Sequence, residues 1–142
     1  MLIKSRRVYV GDRFIPCVIE IEKDKIINIF LDKDCQVDKD YGDKRIVPGF
    51  IDIHTHGAYG FDTNSADEIG LKNWQKRLPE EGVTYFLPTT VTASKDKLLK
   101  ALKNIAKVTH ENYPGANIVG IHLEGQYIDT KYHGDPTVTA VV

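Results

Sequence analysis

Short runs of β-type residues open the chain. Arg7 to Val10, Phe14 to Ile21 and Ile26 to Phe30 are rich in Val, Ile, Tyr and Phe, and Gly11-Asp12-Arg13 and Glu22-Lys23-Asp24-Lys25 separate them as turns. In Val18-Ile19-Glu20-Ile21-Glu22 the acids fall at every second position, the period of a strand with one wet face. Asp32 to Lys44 reads as a polar loop rich in Asp and Lys. The pattern predicts a small antiparallel β unit, incomplete because three short strands bury too little apolar surface to stand alone.

From Arg45 onward the pattern changes to strand, helix, strand, helix, strand. Ile46 to His54 is an apolar run broken only by Pro48-Gly49 and Asp52. Ser65, with Glu68 three residues on, carries a capping-box signature for a helix whose buried stripe is Ile69, Trp74 and Leu78, with Leu71 on the flank. Pro79 and Gly82 mark its end. Val83 to Leu87 is the next strand. Ser94 can cap a second helix running to about His110, with Leu98, Leu102, Ile105 and Ala106 at helical spacing. Ile118 to Leu123 is a third strand. Alternation of this kind predicts βα units and a parallel sheet.

Composition narrows the class without changing this picture. The chain has 142 residues, 42% apolar and 27% charged, with 19 basic against 20 acidic side chains. That is a soluble globular composition. The longest Lys/Arg cluster is Arg6-Arg7, which argues against nucleic acid or an anionic membrane as partner. No apolar run reaches the roughly 18 residues of a membrane helix, and the first residues carry no signal-peptide apolar region. Cys17 and Cys35 form neither a CxxC pair nor a disulfide framework, the usage expected of a cytoplasmic protein.

Three segments can carry chemistry. In Pro48-Gly49-Phe50-Ile51-Asp52-Ile53-His54-Thr55-His56-Gly57, strand alternation puts Asp52, His54 and His56 on one side and Ile51 and Ile53 on the other. Two histidines spaced i, i+2 at a strand end can present ring nitrogens to one metal ion. A pair of solvent-facing loop histidines would leave the same trace in sequence. In Ile118-Val119-Gly120-Ile121-His122-Leu123-Glu124-Gly125, Gly120, His122 and Glu124 share a face, with Glu124 at the strand's end. Taken alone, Glu124 reads first as a helix-start acid or an ion-pair partner, and His122 as a core histidine bonded to a carbonyl or a residue supporting a ligand from behind, rather than as a ligand itself. The third segment, Gly82 to Thr92, has no titratable ligand, and its threonines read as rim packing able to hydrogen-bond beside a site. His110 falls at a helix end, where a cation suits the dipole, and His133 lies in a polar loop.

Taken together, Val47-Pro-Gly-Phe-Ile-Asp-Ile-His-Thr-His-Gly57, Gly82-Val-Thr-Tyr-Phe-Leu-Pro-Thr-Thr90 and Gly120-Ile-His-Leu-Glu-Gly125 resemble the N-acetylglucosamine-6-phosphate deacetylases of the amidohydrolase superfamily. The first segment is shared across much of that superfamily. The Gly-Ile-His-Leu-Glu-Gly segment points to the deacetylases over dihydroorotase-like relatives. The likeness runs to about Gly134 and covers only the first part of the family's length.

The resemblance implies an α/β fold: a partial TIM-type (β/α)8 barrel, its first three strands, preceded by part of a small β-sandwich. The corresponding bounds are 1–47 for the sandwich part, 48–134 for the barrel units and 135–142 for an unassigned tail. It implies Glu124 as a metal ligand, with His54 and His56 holding a second divalent ion in members that retain both histidines. One or two ions, zinc or iron, would serve. It further implies a small amino-sugar phosphate substrate, hydrolysis to acetate and glucosamine 6-phosphate, and a homo-oligomer for full-length members. The family's acid/base aspartate, at the end of the last barrel strand, has no counterpart in these 142 residues, so the chain by itself is expected to be inactive.

Two departures stand out. Gln126 replaces the proline usual after Leu-Glu-Gly, and Asp135-Pro136 replace residues that contact the sugar phosphate, where an anionic Asp135 would repel phosphate. A complete barrel takes about 250 residues, and the stretch after Pro48 has room for three strands and two helices. Two alternatives therefore stand beside the deacetylase reading. One is a non-catalytic fragment or interaction module pairing through open sheet edges; the other is a dihydroorotase-like amidohydrolase.

Overall fold

The computed structural model describes residues 1–31, 35–65, 67–111 and 113–125. The chain divides into two units, Met1–Pro48 and Gly49–Val142.

In the first unit β1 (Leu2–Val10), β2 (Arg13–Glu22) and β3 (Lys25–Leu31) form an antiparallel meander. Lys23 and Asp24, both at positive φ (48° and 64°), make the tight turn between β2 and β3 whose twist matches paired strands. The segment expected to be a polar loop, Asp32 to Lys44, contributes one further bridge, and a second follows directly after it. β4 (Lys39–Asp40) and β5 (Arg45–Ile46) both run parallel to β1. Buried Ser5 fastens this return: its hydroxyl donates to the Lys44 carbonyl and accepts the Arg7 N–H at 3.0 Å. Val8, Cys17 and Ile19 form the core, with Ile3, Ile15 and Ile46 against them. Ile26, Ile27, Ile29 and Leu31 of β3 remain exposed.

The second unit is a parallel sheet with helical crossovers. β6 (Phe50–Thr55) pairs with β7 (Val83–Thr90), and β7 pairs in turn with the short β8 (Asn117–Ile118) and β9 (His122–Leu123). The run expected as one strand from Ile46 to His54 is divided at Pro48-Gly49: Ile46 pairs in the first unit and β6 begins at Phe50. Proline has no N–H to give a ladder there. The third expected strand is likewise two short bridges to β7, with Val119–Ile121 between them unpaired apart from the Val119 N–H on Phe86 O at 3.2 Å.

α1 (Glu68–Arg77) starts later than the capping-box signature suggests. Ser65 ends a 3-10 turn, Thr63–Ser65, where its hydroxyl donates to Asp62 O at 3.1 Å. Asp67 is the N-cap instead, its carboxylate accepting the Gly70 N–H at 2.5 Å. The buried stripe turns with the start: Leu71, Trp74, Gln75 and Leu78 are inside, while Ile69 is 73% exposed. A 3-10 turn over Leu78–Glu81 carries Pro79 at its beginning and ends on Gly82, at φ +82°. α2 (Lys95–Thr109) follows Ser94 and buries Leu98, Ala101, Ile105 and Val108, with Ala106 exposed rather than inward.

Both helices cover one face of the sheet. Leu71, Trp74, Leu78, Phe86, Ile105, Val108, Ala116 and Ile118 make the core there, with the Trp74 and Phe86 rings 4.8 Å apart edge to face. Gln75 ties α1 to the approach of β8: its Nε2 donates to Ala116 O (3.1 Å), and the Ala116 N–H donates back to Gln75 O (2.9 Å). No helix among the described residues is long and apolar enough to cross a membrane.

Candidate metal centre

Strand register decides which side chains can meet. Neighbours in a parallel ladder point to the same face, so Thr89 of β7 and His122 of β9 share one, and Thr90 and Leu123 the other. Phe86, packed on Trp74, marks the helix-covered face. His122 and Glu124 therefore lie on the open face, as alternation predicts. On β6 the ladder slips: Asp52 opposes Phe86 and Thr55 opposes Pro88, so three residues of β6 advance against two of β7. The slip puts both Asp52 and Thr55 on the helix-covered face and leaves His54 and His56 on the open one. The expected shared side thus holds for the two histidines and fails for Asp52, whose carboxylate instead accepts the His54 N–H at 3.1 Å. Ile51, opposite Tyr85, is on the open face and 61% exposed, not against a helix.

β6 and β9 bring three groups together at their C-terminal ends, His54 in the last residues of β6 and His56 and Glu124 just past β6 and β9, with β7 between them. Nε2 of His54 and Nε2 of His56 are 3.2 Å apart, and each is 3.0 Å from Oε2 of Glu124. The rings stand edge to face, with centroids 4.9 Å apart. All three side chains are a little over a third to a half exposed, so solvent and small molecules reach them.

Neighbouring carbonyls set the tautomers. Nδ1 of His56 lies 3.1 Å from Thr89 O, and a carbonyl can only accept, so the ring proton is on Nδ1 and the neutral ring offers a bare Nε2. Nδ1 of His122 lies 3.0 Å from Ile53 O and donates to it for the same reason. With the ring neutral, the His56 Nε2 lone pair faces a carboxylate oxygen, an arrangement that calls for a cation between them, a metal ion or a proton. The spacings suit one ion. Ligand atoms on a tetrahedral site with bonds of about 2.0–2.1 Å stand roughly 3.3 Å apart, against 3.0 and 3.2 Å here. Two imidazoles and a carboxylate are a donor set that fits a divalent transition metal.

The threonines of the third segment do more than fill the rim. Thr89, fully buried, accepts the Thr55 N–H at 2.9 Å through its hydroxyl, which donates to Leu87 O at 3.0 Å. It thereby anchors the end of β6 while its own carbonyl orients His56. Asn64, unremarked in the sequence, clamps the loop after β6 to the segment after β7. Its Nδ2 donates to Val91 O (2.8 Å) and its Oδ1 accepts the Val91 N–H (3.0 Å). The sequence signal for Thr89 is a polar residue near a strand end, and for Asn64 a polar residue in a loop, both too common to select. His122 meets the carbonyl expected of a core histidine, yet sits beside the site, its ring 4.6 Å from that of His54. His110 is the exposed C-cap of α2 and touches nothing in the site. His133, Gln126 and the stretch 135–142 lie outside the described residues.

Known proteins share this arrangement of segments. N-acetylglucosamine-6-phosphate deacetylase of Bacillus subtilis is 42% identical over 95 residues, covering 65% of this chain and 24% of the relative. That of Vibrio furnissii is 40% identical over 89 residues, 63% of this chain and 22% of the relative. The chain therefore spans about a quarter of the length of these relatives. Among solved structures, a mutant N-acetyl-D-glucosamine-6-phosphate deacetylase from Mycobacterium smegmatis, in complex with N-acetyl-D-glucosamine-6-phosphate, superposes with a TM-score of 0.81. It is 28% identical, and the match covers 92% of this chain and 34% of that one. The enzyme from Thermotoga maritima gives 0.72 at 32% identity over the same shares. The profile of the amidohydrolase family matches residues 45–139, from the end of the first unit through the segments bearing His54, His56 and Glu124. The chain belongs to the amidohydrolase family.

Proposed function

We propose that this chain carries the metal-holding strand ends of an N-acetyl-amino-sugar-6-phosphate deacetylase, with N-acetylglucosamine 6-phosphate the first choice of substrate. One observation carries the reading: Nε2 of both His54 and His56 is 3.0 Å from Oε2 of Glu124, a carboxylate and two ring nitrogens converging on one point. The relatives supply the substrate class. Matches at 42% and 40% act on the gluco sugar, while an N-acetylgalactosamine-6-phosphate deacetylase of Escherichia coli O157:H7 stands at 37%.

On this reading His54, His56 and Glu124 hold a divalent ion, zinc or iron by the donor set. When bound, such an ion supplies Lewis acidity toward an acetamide carbonyl and lowers the pKa of water toward neutrality. The chain's own residues do the holding. Thr89 O keeps the His56 proton on Nδ1, and Glu124 contributes the negative charge that offsets part of the cation's. On the open face all three ligands are partly exposed and reachable from solvent. Proton delivery to the departing amine calls for a further acid, which the resemblance assigns to an aspartate on a late barrel strand. The 142-residue polypeptide assayed alone is therefore expected to release no acetate.

The same reading makes β6, β7 and the β8–β9 stretch the first strands of a (β/α)8 barrel, where functional groups collect at the strands' C-terminal ends. The strands of the first unit become part of a small β-sandwich. It also makes the whole enzyme a cytoplasmic homo-oligomer whose partner is a small molecule.

A chimera tests the proposal: residues 45–125 of this chain replace the matching segment of the Bacillus subtilis enzyme, and acetate release from N-acetylglucosamine 6-phosphate is measured. Activity that vanishes with Glu124→Gln is the expected result. A folded, metal-loaded chimera that releases no acetate would refute the substrate assignment.

A further inference from the structure

The ladder slip on β6 leaves one peptide group, the link between Ile53 and His54, between Asp52 and Thr55 and outside the strand pairing. A peptide in that position normally loses its hydrogen bonds or takes them from water. Here both of its polar atoms are held by side chains. The His54 N–H donates to Asp52 Oδ1 at 3.1 Å, and the Ile53 carbonyl accepts from Nδ1 of His122 at 3.0 Å. His122 reaches this carbonyl from β9, the far side of β7, and its ring meets the His54 ring edge to face, with 4.6 Å between centroids.

We propose that His122 is a positioning residue for the metal centre: it fixes the Ile53–His54 peptide plane, and with it the direction of the His54 imidazole, without itself binding the ion. The inference rests on the reading of His54, His56 and Glu124 as a metal site. Its physical content is narrow. The peptide plane sets where the His54 Cα–Cβ bond points, and a rotation of that plane would swing Nε2 away from its 3.0 Å approach to Glu124. Because Ile53 O only accepts, His122 must carry its proton on Nδ1, which leaves its Nε2 as the bare nitrogen.

The test compares Zn(II) affinity of the 142-residue chain with that of His122→Phe, His122→Asn and His54→Ala, using competition with a chromophoric chelator. Circular dichroism checks the fold. Phenylalanine keeps a ring edge near His54 and removes the donor; asparagine places an amide N–H close to the position of Nδ1. The expected result is a 10- to 100-fold loss for His122→Phe, the size usual for partners behind a ligand, with His122→Asn within about threefold of the parent. Parental affinity in folded His122→Phe, or a loss in His122→Asn as large as in His122→Phe, overturns the proposal. If His122→Phe does not fold, His122→Asn decides alone: near-parental affinity supports the proposal and a tenfold loss overturns it. His54→Ala separates the two claims, since a chain whose Zn(II) binding ignores His54→Ala fails the site reading itself. The metal-free chain gives an independent answer. Imidazole nitrogen NMR at alkaline pH must show His122 as the Nδ1–H tautomer, and finding the proton on Nε2 overturns the proposal whatever the metal does.

Discussion

Replacing Asn64 is the sharpest perturbation of the scaffold that holds the site. Its side-chain amide makes two hydrogen bonds to a single residue 27 positions away, donating to Val91 O at 2.8 Å and accepting from Val91 N–H at 3.0 Å, and it is 6% exposed. Asn64→Ala removes both partners at once. Each lost bond costs about 0.5–1.5 kcal/mol net, with more where the orphaned group stays dry. Val91 is half-buried, so water recovers part of the loss, and the expected destabilisation is about 2 kcal/mol. Asn64→Asp should do no better near neutral pH, because its second oxygen would face the Val91 carbonyl, acceptor against acceptor. Trp74, the single tryptophan and 1% exposed in the core of the second unit, reports unfolding by fluorescence. With a urea slope of about 1.5 kcal/mol/M, a 2 kcal/mol loss lowers the midpoint by about 1.3 M. A midpoint for Asn64→Ala within about 0.2 M of the parent, or parental stability in Asn64→Asp, would show that this clamp does not hold the loop after β6.

Four other outcomes follow from the same structure. Gly57 follows the second histidine at φ +146°, where a Cβ would run into the Phe61 carbonyl oxygen, so Gly57→Ala should both destabilise the second unit and weaken Zn(II) binding. Gly60→Ala, at φ +81° with open space around it, should show only backbone strain of about 1 kcal/mol by urea midpoint and leave Zn(II) affinity unchanged. The Lys72 ammonium, 2.5 Å from Glu111, holds the Glu111 carboxyl below its usual 4.5 and is itself raised above 10.5 by the same hydrogen bond. Glu111→Gln should therefore lower Tm slightly at neutral pH, and the deficit should disappear as pH falls through the depressed Glu111 value; a deficit that persists in acid would refute the assignment. Zn(II) at a hundredfold excess over its Kd should stabilise the second unit by about 2.7 kcal/mol, seen as a higher Trp74 melting midpoint that EDTA reverses and Glu124→Gln abolishes.

What could be read from the sequence was local. Runs of β-type residues between turn residues mark β2, β3 and the second half of β1, which begins at Leu2 rather than Arg7, and the i, i+2 histidine spacing at a strand end places His54 and His56 side by side. The start of α1 was misplaced because Ser65 and Asp67 are both good caps with an acid or glycine in register; Asp67 wins once Asp62 has engaged Ser65 in a preceding turn. That shift exchanges Ile69 for Leu71 in the core. The contacts that finish the site are of another kind. His56 to Thr89, His122 to Ile53 and Asn64 to Val91 join residues 33, 69 and 27 apart through backbone atoms. A backbone carbonyl has no residue type, so no side-chain pattern announces it. The slip on β6 is hidden for a similar reason, since one extra residue in a ladder changes which face a side chain takes without changing composition.

That slip also separates stability from chemistry. The helix-covered face of the sheet carries Trp74, Phe86, Ile105 and Val108, each 1% exposed or less, and supplies the burial that holds the unit together. The open face carries His54, His56 and Glu124, together with Ile51 and Tyr85 at 61% and 42% exposure. Had β6 kept the Asp52–Phe86 register, His54 and His56 would stand with Asp52 on the helix-covered face, away from Glu124. The ladder would then hold the Ile53–His54 peptide in place of the Asp52 and His122 side chains. With the slip, Asp52 serves the backbone and the ligand set is two imidazoles and one carboxylate. Ligand substitutions on the open face should therefore leave the metal-free unfolding midpoint of the core almost unmoved. A large drop in Glu124→Gln without metal would mean that the three side chains hold the sheet together by themselves, and that their convergence serves the fold rather than an ion.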